Sequence, residues 1–172
     1  MTNPAPETVT NPAGTPLLRA PRPGDYGWII GRHGEIYARE YGWDISFEAL
    51  VAGICAQFLA GHDPARERGW MAELDRKPVG SVHCMRLDDQ TAKLRMLIVA
   101  PEARGHGVGG MLVDACMAFA RDAGYRRMTL WTNDILIAAR KIYLARGWRM
   151  IAGEPVNQFG QAMVSETWEV EL

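Results

Sequence analysis

Apolar residues recur at steps of two in some stretches of the chain and at three or four in others, and each switch marks a boundary between elements. Leu17–Arg22 predicts a short strand, stopped by Pro21-Arg22-Pro23-Gly24. Trp28, Ile29, His33, Ile36 and Tyr37 then predict a helix capped by Asp25 and running to about Tyr41. Gly27, Gly31 and Gly34 lie inside it, each costing roughly 1 kcal/mol against alanine, so this helix must lean on tertiary packing. Gly42-Trp43-Asp44 breaks the pattern, and Ser46 is the expected cap of a second helix, Phe47–Ala60, ended at Gly61. After a polar loop, Trp70–Leu74 and Val79–Leu87 read as antiparallel strands joined by Asp75-Arg76-Lys77-Pro78. Asp88-Asp89-Gln90 turns the chain into a central strand, Thr91–Ala100, which Pro101 ends because proline offers no N–H to a ladder. A helix over Gly107–Ala123, a strand over Met128–Thr132, a helix over Ile135–Arg146 and strands over Trp148–Ala152 and Ala162–Glu171 complete the series. The order β-α-α-β-β-β-α-β-α-β-β predicts the α+β class, with helices on both faces of one sheet.

The length of 172 residues suits one domain, expected over residues 17–172. The first sixteen residues, rich in Pro, Thr, Asn and Ala, read as a disordered lead-in without the apolar centre of a secretory signal. A net charge of −1 gives no footprint for nucleic acid or an anionic membrane, and no apolar run reaches the ~18–20 residues of a membrane span. Cys55, Cys84 and Cys116 are odd in number and share no metal-ligand spacing, so neither a disulfide framework nor a metal site is expected. A reducing cytoplasm is the expected setting.

The chemistry centres on Arg104-Gly105-His106-Gly107-Val108-Gly109-Gly110, which lies between the central strand and the third helix. A strand, a glycine-dense turn and a helix start gather unpaired backbone N–H groups at the positive end of a helix dipole, a natural cradle for a phosphate or pyrophosphate. Gly105-x-Gly107-x-x-Gly110 also satisfies the dinucleotide fingerprint, which belongs to the first βα turn of a parallel βαβ unit. Here it follows three strands that read as a meander, and too little chain remains for a doubly wound sheet.

The pattern Val99-x-Pro101-x-x-Arg104-Gly105-x-Gly107-x-Gly109 resembles the acyl-coenzyme A signature of the GCN5-related N-acetyltransferases, (Q/R)-x-x-G-x-(G/A). The resemblance runs from about Leu17 onward, and is nearest to the acetyltransferase halves fused behind MarR-type regulators. It implies the family's fold, a mixed and mostly antiparallel sheet of about seven strands. It also implies acetyl-coenzyme A as cosubstrate, its pyrophosphate on the amides of Gly105, His106, Gly107, Val108, Gly109 and Gly110, with Arg104 adding charge. The pantetheine arm would pair with Leu97, Ile98 and Val99. A second family pattern, N-x-x-A-x-x-x-Y-x-x-x-G-F, is met in its later half by Ala139, Tyr143, Gly147 and Trp148. It implies that Tyr143 protonates the departing thiolate, whose thiol has a pKa near ~8.5. The family's asparagine would fall at Leu136. Asn133, three residues earlier, is the alternative cofactor contact, or else a cap with Asp134. Pairing of two copies through the C-terminal strands is a further implication of the resemblance.

A general base is harder to find, because the family's strand glutamate is replaced by Lys93 or Arg95. The candidates carried forward are Glu40, Glu73 and His83, with Glu35, Asp44 and Glu166 behind them and His33 and Tyr41 at the same mouth. Lys93, Arg95 and Arg86 admit an acceptor, small molecule or peptide, that carries a carboxylate as well as an amine. Two functional readings follow: an N-acetyltransferase acting by direct attack of a primary amine, or a coenzyme A-binding sensor that has lost turnover.

Overall fold

The computed structural model describes residues 14–172, so the lead-in expected over residues 1–16 lies almost wholly outside the described residues. Among the described residues seven strands form one sheet: β1 (Leu17–Arg19), β2 (Arg68–Leu74), β3 (Lys77–Arg86), β4 (Thr91–Val99), β5 (Arg127–Asn133), β6 (Arg149–Gln158) and β7 (Gln161–Glu171). Their spatial order is β1-β2-β3-β4-β5-β7-β6, and β4–β5 is the parallel pair in an otherwise antiparallel ladder. The described α-helices are four: α1 (Asp25–Tyr41), α2 (Ile45–Gly61), α3 (Val108–Asp122) and α4 (Ile137–Leu144). The expected α+β architecture, with helices on both faces, is therefore present.

Strand alternation sorts the apolar residues into two cores. Ala72, Cys84, Ala92, Leu94, Met128 and Leu130 face α3, packing on Leu112, Val113 and Cys116. Met71 and Met96 face α1 and α2, packing with Ile29, Phe47, Val51 and Cys55. The glycine-bearing α1 is held as expected, by burial of Ile29, His33 and Ile36 along one stripe.

Several boundaries differ from the sequence reading, each for a local reason. Asp25 does not cap α1. Gly24 holds that position with φ 97°, while the Asp25 carboxylate accepts from the Arg22 N–H (2.6 Å) and pairs with Arg19 (2.6 Å). Asp44, not Ser46, caps α2, accepting from the Ser46 N–H at 2.9 Å. The β2–β3 turn is tighter than predicted because Asp75 and Arg76 both take positive φ, which brings Lys77 and Pro78 into β3. β6 runs to Gln158 rather than Ala152. It is an edge strand exposed over most of its length, so no inward face imposed an alternating pattern.

Candidate active site

Pro101–Ala103 forms one 3-10 turn after β4, and the chain then enters α3 through Gly105 and Gly107, with φ of 81° and 72°. A side chain is disfavoured by that backbone conformation at both positions. The first backbone bond back into α3 is Met111 N–H to Gly107 O, 3.0 Å. The N–H groups of Val108, Gly109 and Gly110 therefore precede the intrahelical ladder and carry the positive end of the helix dipole. His106 differs from its expected role: its N–H is directed to Ala103 O at 3.4 Å. Gly109 and Gly110 serve close packing instead of a special φ. A Cβ at Gly109 would stand 2.7 Å from Ile142 Cδ1, and one at Gly110 would collide with the Arg146 guanidinium.

Upstream of this turn the sheet opens. β4 pairs with β5 over Thr91–Leu94 against Arg127–Leu130, and beyond those residues the two parallel strands part. On its other side β4 stays paired with β3, but with an extra residue. Ser81 opposes Ile98 while His83 opposes Arg95, and the bulge is taken up at Met96, whose φ is 53°. The Ser81 hydroxyl donates to Met96 O at 2.9 Å and pins the bulge. Such a bulge re-aims the backbone and side chains around it. Among the described residues the edge of β4 that faces the gap has no neighbouring strand from Met96 to Val99, so its amides are free to pair with an extended ligand.

A cavity of about 670 Å³ occupies the gap. Lys93, Arg95 and Leu97 of β4 form its floor with Thr129 and Trp131 of β5, while Tyr37, Trp43, Phe47 and Phe159 form aromatic walls. Two residues reach it from opposite faces of the sheet: His33 from α1 and Tyr143 from α4. His33 is buried, and its Nδ1 lies 2.8 Å from Ile29 O. A carbonyl only accepts, so Nδ1 carries the hydrogen and Nε2 keeps its lone pair. Burial lowers the His33 pKa to about 4, against a smaller upward pull from that hydrogen bond, so the ring is neutral at pH 7. Tyr143 is buried beside Trp148 and Trp168. Burial, aided by Tyr37 and Cys116, raises its pKa well above that of an ordinary phenol, so it keeps its proton.

The acidic candidates are elsewhere. Among the described residues no Asp or Glu lines the cavity. Glu40 accepts from Arg104 Nη2 with both carboxylate oxygens at 2.9 Å, which ties α1 to the glycine turn. Glu73 is bound to Arg19 near the β1 edge of the sheet. Glu35 pairs with Arg32, Asp44 caps α2, and Glu166 lies under Arg140 and Trp168. His83 is fully buried against Tyr26, with Nε2 3.0 Å from the phenol oxygen, and burial lowers its pKa to about 3. It stands opposite Arg95 in the ladder but does not line the cavity. Arg86 is exposed and bound to Asp89, outside the cavity that holds Lys93 and Arg95.

Asn133 is placed at the end of β5, beyond the last β4 partner, with its side chain buried and, among the described residues, neither amide atom hydrogen-bonded. Two buried polar atoms in that condition cost about 1–3 kcal/mol each unless something else pairs with them. Free strand amides, helix-start amides and this orphaned carboxamide together fit a ligand with an amide-bearing arm and a diphosphate. Two wall residues, Gln158 and Phe159, escaped the sequence reading. Their signal was Phe159-Gly160, which adopts positive φ at both positions and turns β6 into β7, where the Phe159 ring packs on Trp43 at 4.8 Å.

Comparison with known proteins bears on this arrangement. Human N-acetyltransferase 8B is 36% identical over 85 residues, 46% of this chain and 37% of that protein. The N-acetylaspartate synthetase of Danio rerio is 34% identical over 109 residues, 63% of this chain and 38% of its own length. The match thus spans well under half the length of these curated relatives. Among solved structures, a Salmonella typhimurium protein with its cofactor acetyl-CoA superposes with a TM-score of 0.74 at 17% identity, over 92% of this chain and 94% of the other. A Staphylococcus aureus GNAT acetyltransferase gives 0.74 at 18% identity, over 92% and 99%. These structures share the fold. The profile of the Acetyltransferase (GNAT) family matches residues 27–148, from most of α1 to the residue before β6, and by that match the chain belongs to the acetyltransferase (GNAT) family.

Proposed function

We propose that this protein is an N-acetyltransferase that uses acetyl-coenzyme A to acetylate a primary amine by direct attack. The observation that carries the reading is the cavity in the β4–β5 gap, with a neutral histidine on one face and a protonated tyrosine on the other. The N–H groups of Gly107–Gly110 would hold the diphosphate, and the free edge of β4 from Leu97 to Val99 would pair with the pantetheine amides. Asn133 and Arg104 would complete the cofactor contacts.

In the reaction a C–N bond forms as the thioester C–S bond breaks. Backbone N–H groups beside the β4 bulge polarise the carbonyl. Attack makes the amine nitrogen acidic, and the lone pair of His33 Nε2 accepts its proton, directly or through one water. Tyr143 gives its proton to the departing sulfur. Solvent exchange then restores both side chains.

His33 takes the place held open for a base. Glu40 and Glu73 are committed to arginines outside the cavity, and His83 to Tyr26. Thiol release from acetyl-coenzyme A, followed with a panel of amines and with mass spectrometry of the product, tests the proposal. Release that depends on an amine supports it; heat of cofactor binding without release from any amine would establish the sensor reading, which the lack of a cavity carboxylate favours.

Three free, buried cysteines accord with a cytoplasmic setting. The exposed edge strand β6, with Met150 and Ile151 outward, supports pairing of two copies. The likeness to acetyltransferase halves of MarR-type regulators rests on the glycine and tyrosine motifs.

A further inference from the structure

Lys93 and Arg95 occupy alternate positions of β4 just before its bulge, on the face that looks toward α1 and α2. Both are half-buried and both line the cavity. Among the described residues neither has a carboxylate within ion-pairing distance, whereas Arg19, Arg32, Arg86, Arg104, Arg140 and Arg146 each pair with one. Leaving two cations unpaired in a partly desolvated cavity is unfavourable unless an anion joins them. Burial lowers the pKa of each, and in Lys93 the neighbouring Arg95 adds to it.

That anion is not the cofactor's diphosphate. The diphosphate cradle follows the far end of β4, and at about 3.3 Å per residue the six steps from Lys93 to Val99 span roughly 20 Å. The cations lie on the other side of the bulge from that cradle, inside the cavity. Resting on the acetyl-transfer reading above, we propose that Lys93 and Arg95 form a carboxylate subsite, and that the acceptor is an amino acid-like molecule: a primary amine, a carboxylate and an apolar body.

Three features of the cavity agree on this class. A planar guanidinium and an ammonium two residues apart suit a carboxylate. With no acidic side chain in the lining, the cavity repels a polyamine and favours the uncharged, nucleophilic form of the acceptor amine. Trp43, Phe47 and Phe159 offer ring faces for the apolar body.

The test compares L-phenylalanine, its C-terminal amide and phenethylamine as acceptors for the wild-type protein and for Arg95→Gln and Lys93→Gln. The expected result is a kcat/KM for phenylalanine at least about tenfold above those of the two neutral-tailed amines, with that ratio collapsing toward one in either variant. A structural role for the cations would lower all three acceptors together and leave the ratio where it was. A second measurement separates the inference from the catalytic reading: calorimetry of N-acetylphenylalanine and N-acetylphenethylamine against the unliganded protein. Preference for the carboxylate, lost in Arg95→Gln, upholds the subsite even if no amine is turned over. Turnover of phenethylamine equal to that of phenylalanine, or equal affinity for the two acetylated compounds, overturns it while leaving acetyl transfer intact.

Discussion

Arg104 and Glu40 are joined across the mouth of the site, the guanidinium Nη2 lying 2.9 Å from each carboxylate oxygen. The pair links the α3 turn to the last turn of α1. It is partly exposed, so its worth is at most about 1 kcal/mol. Glu40→Gln is therefore expected to leave kcat unchanged and to alter KM for acetyl-coenzyme A by no more than about fivefold, most visibly at low salt. Glu73→Gln, bound to Arg19 outside the cavity, should also spare kcat. Steady-state kinetics of both variants check this, and a collapse of kcat in either would return that carboxylate to the role of base.

Tyr143→Phe removes one hydroxyl from a buried ring and keeps the packing on Trp148 and Trp168. The expected outcome is a fall in kcat of about 10²-fold, with acetyl-coenzyme A binding and thermal stability nearly unchanged. Calorimetry alongside kinetics separates the two effects. Equal loss of binding and turnover would instead mark Tyr143 as packing alone.

His33 and His83 are both buried neutral, with pKa values lowered to about 4 and about 3. An unfolded histidine titrates near ~6.5, so between that pH and the folded values the unfolded chain binds more protons and stability rises with pH. The contribution of each neutral ring is complete above pH ~6.5 and is lost as pH falls through the folded pKa. Unfolding free energy should therefore drop steeply from pH 7 toward pH 4, by an amount on the order of 3 kcal/mol per histidine. Urea denaturation across that range, repeated with His83→Gln, measures it; a flat profile in both proteins is the contrary result.

Gly107 enters α3 with φ 72° and, among the described residues, has no neighbour within 4 Å of an added Cβ. Gly107→Ala therefore strains the backbone without a collision, at about 1–2 kcal/mol. A rise in KM for acetyl-coenzyme A larger than any change in kcat is expected, as the helix-start amides shift. Gly109→Ala places a Cβ 2.7 Å from Ile142 and should act through α3–α4 packing, lowering the melting temperature as well. Thermal melts with and without cofactor distinguish the two variants.

The glycine turn and Tyr143 were legible because their signals are local. Positive φ at Gly105 and Gly107 is a property of single residues, and Ala139 and Tyr143 share one short helix with Gly147 in the turn just past its end. The base was not legible in the same way. Glu40, Glu73 and His83 each carry the right chemistry, but whether a side chain meets an arginine, a phenol or a cavity is set by elements distant in sequence. The wall residue Phe159 escaped because an edge strand exposed over most of its length shows no alternation to reveal where it ends.

By itself the sequence determined the order and kind of the elements, since the periods of apolar burial and the φ demands of glycine and proline act within a few residues. It also determined the amide-rich turn at the start of α3. Only the tertiary structure decided which polar groups share the cavity. The opening of β4 from β5 and the bulge at Met96 are products of long-range register, and they alone bring His33, Tyr143, Lys93 and Arg95 together while Glu40 and Glu73 pair elsewhere. Charge neutralisation and desolvation operate through space, so the fate of an ionisable side chain follows from its neighbours in the fold.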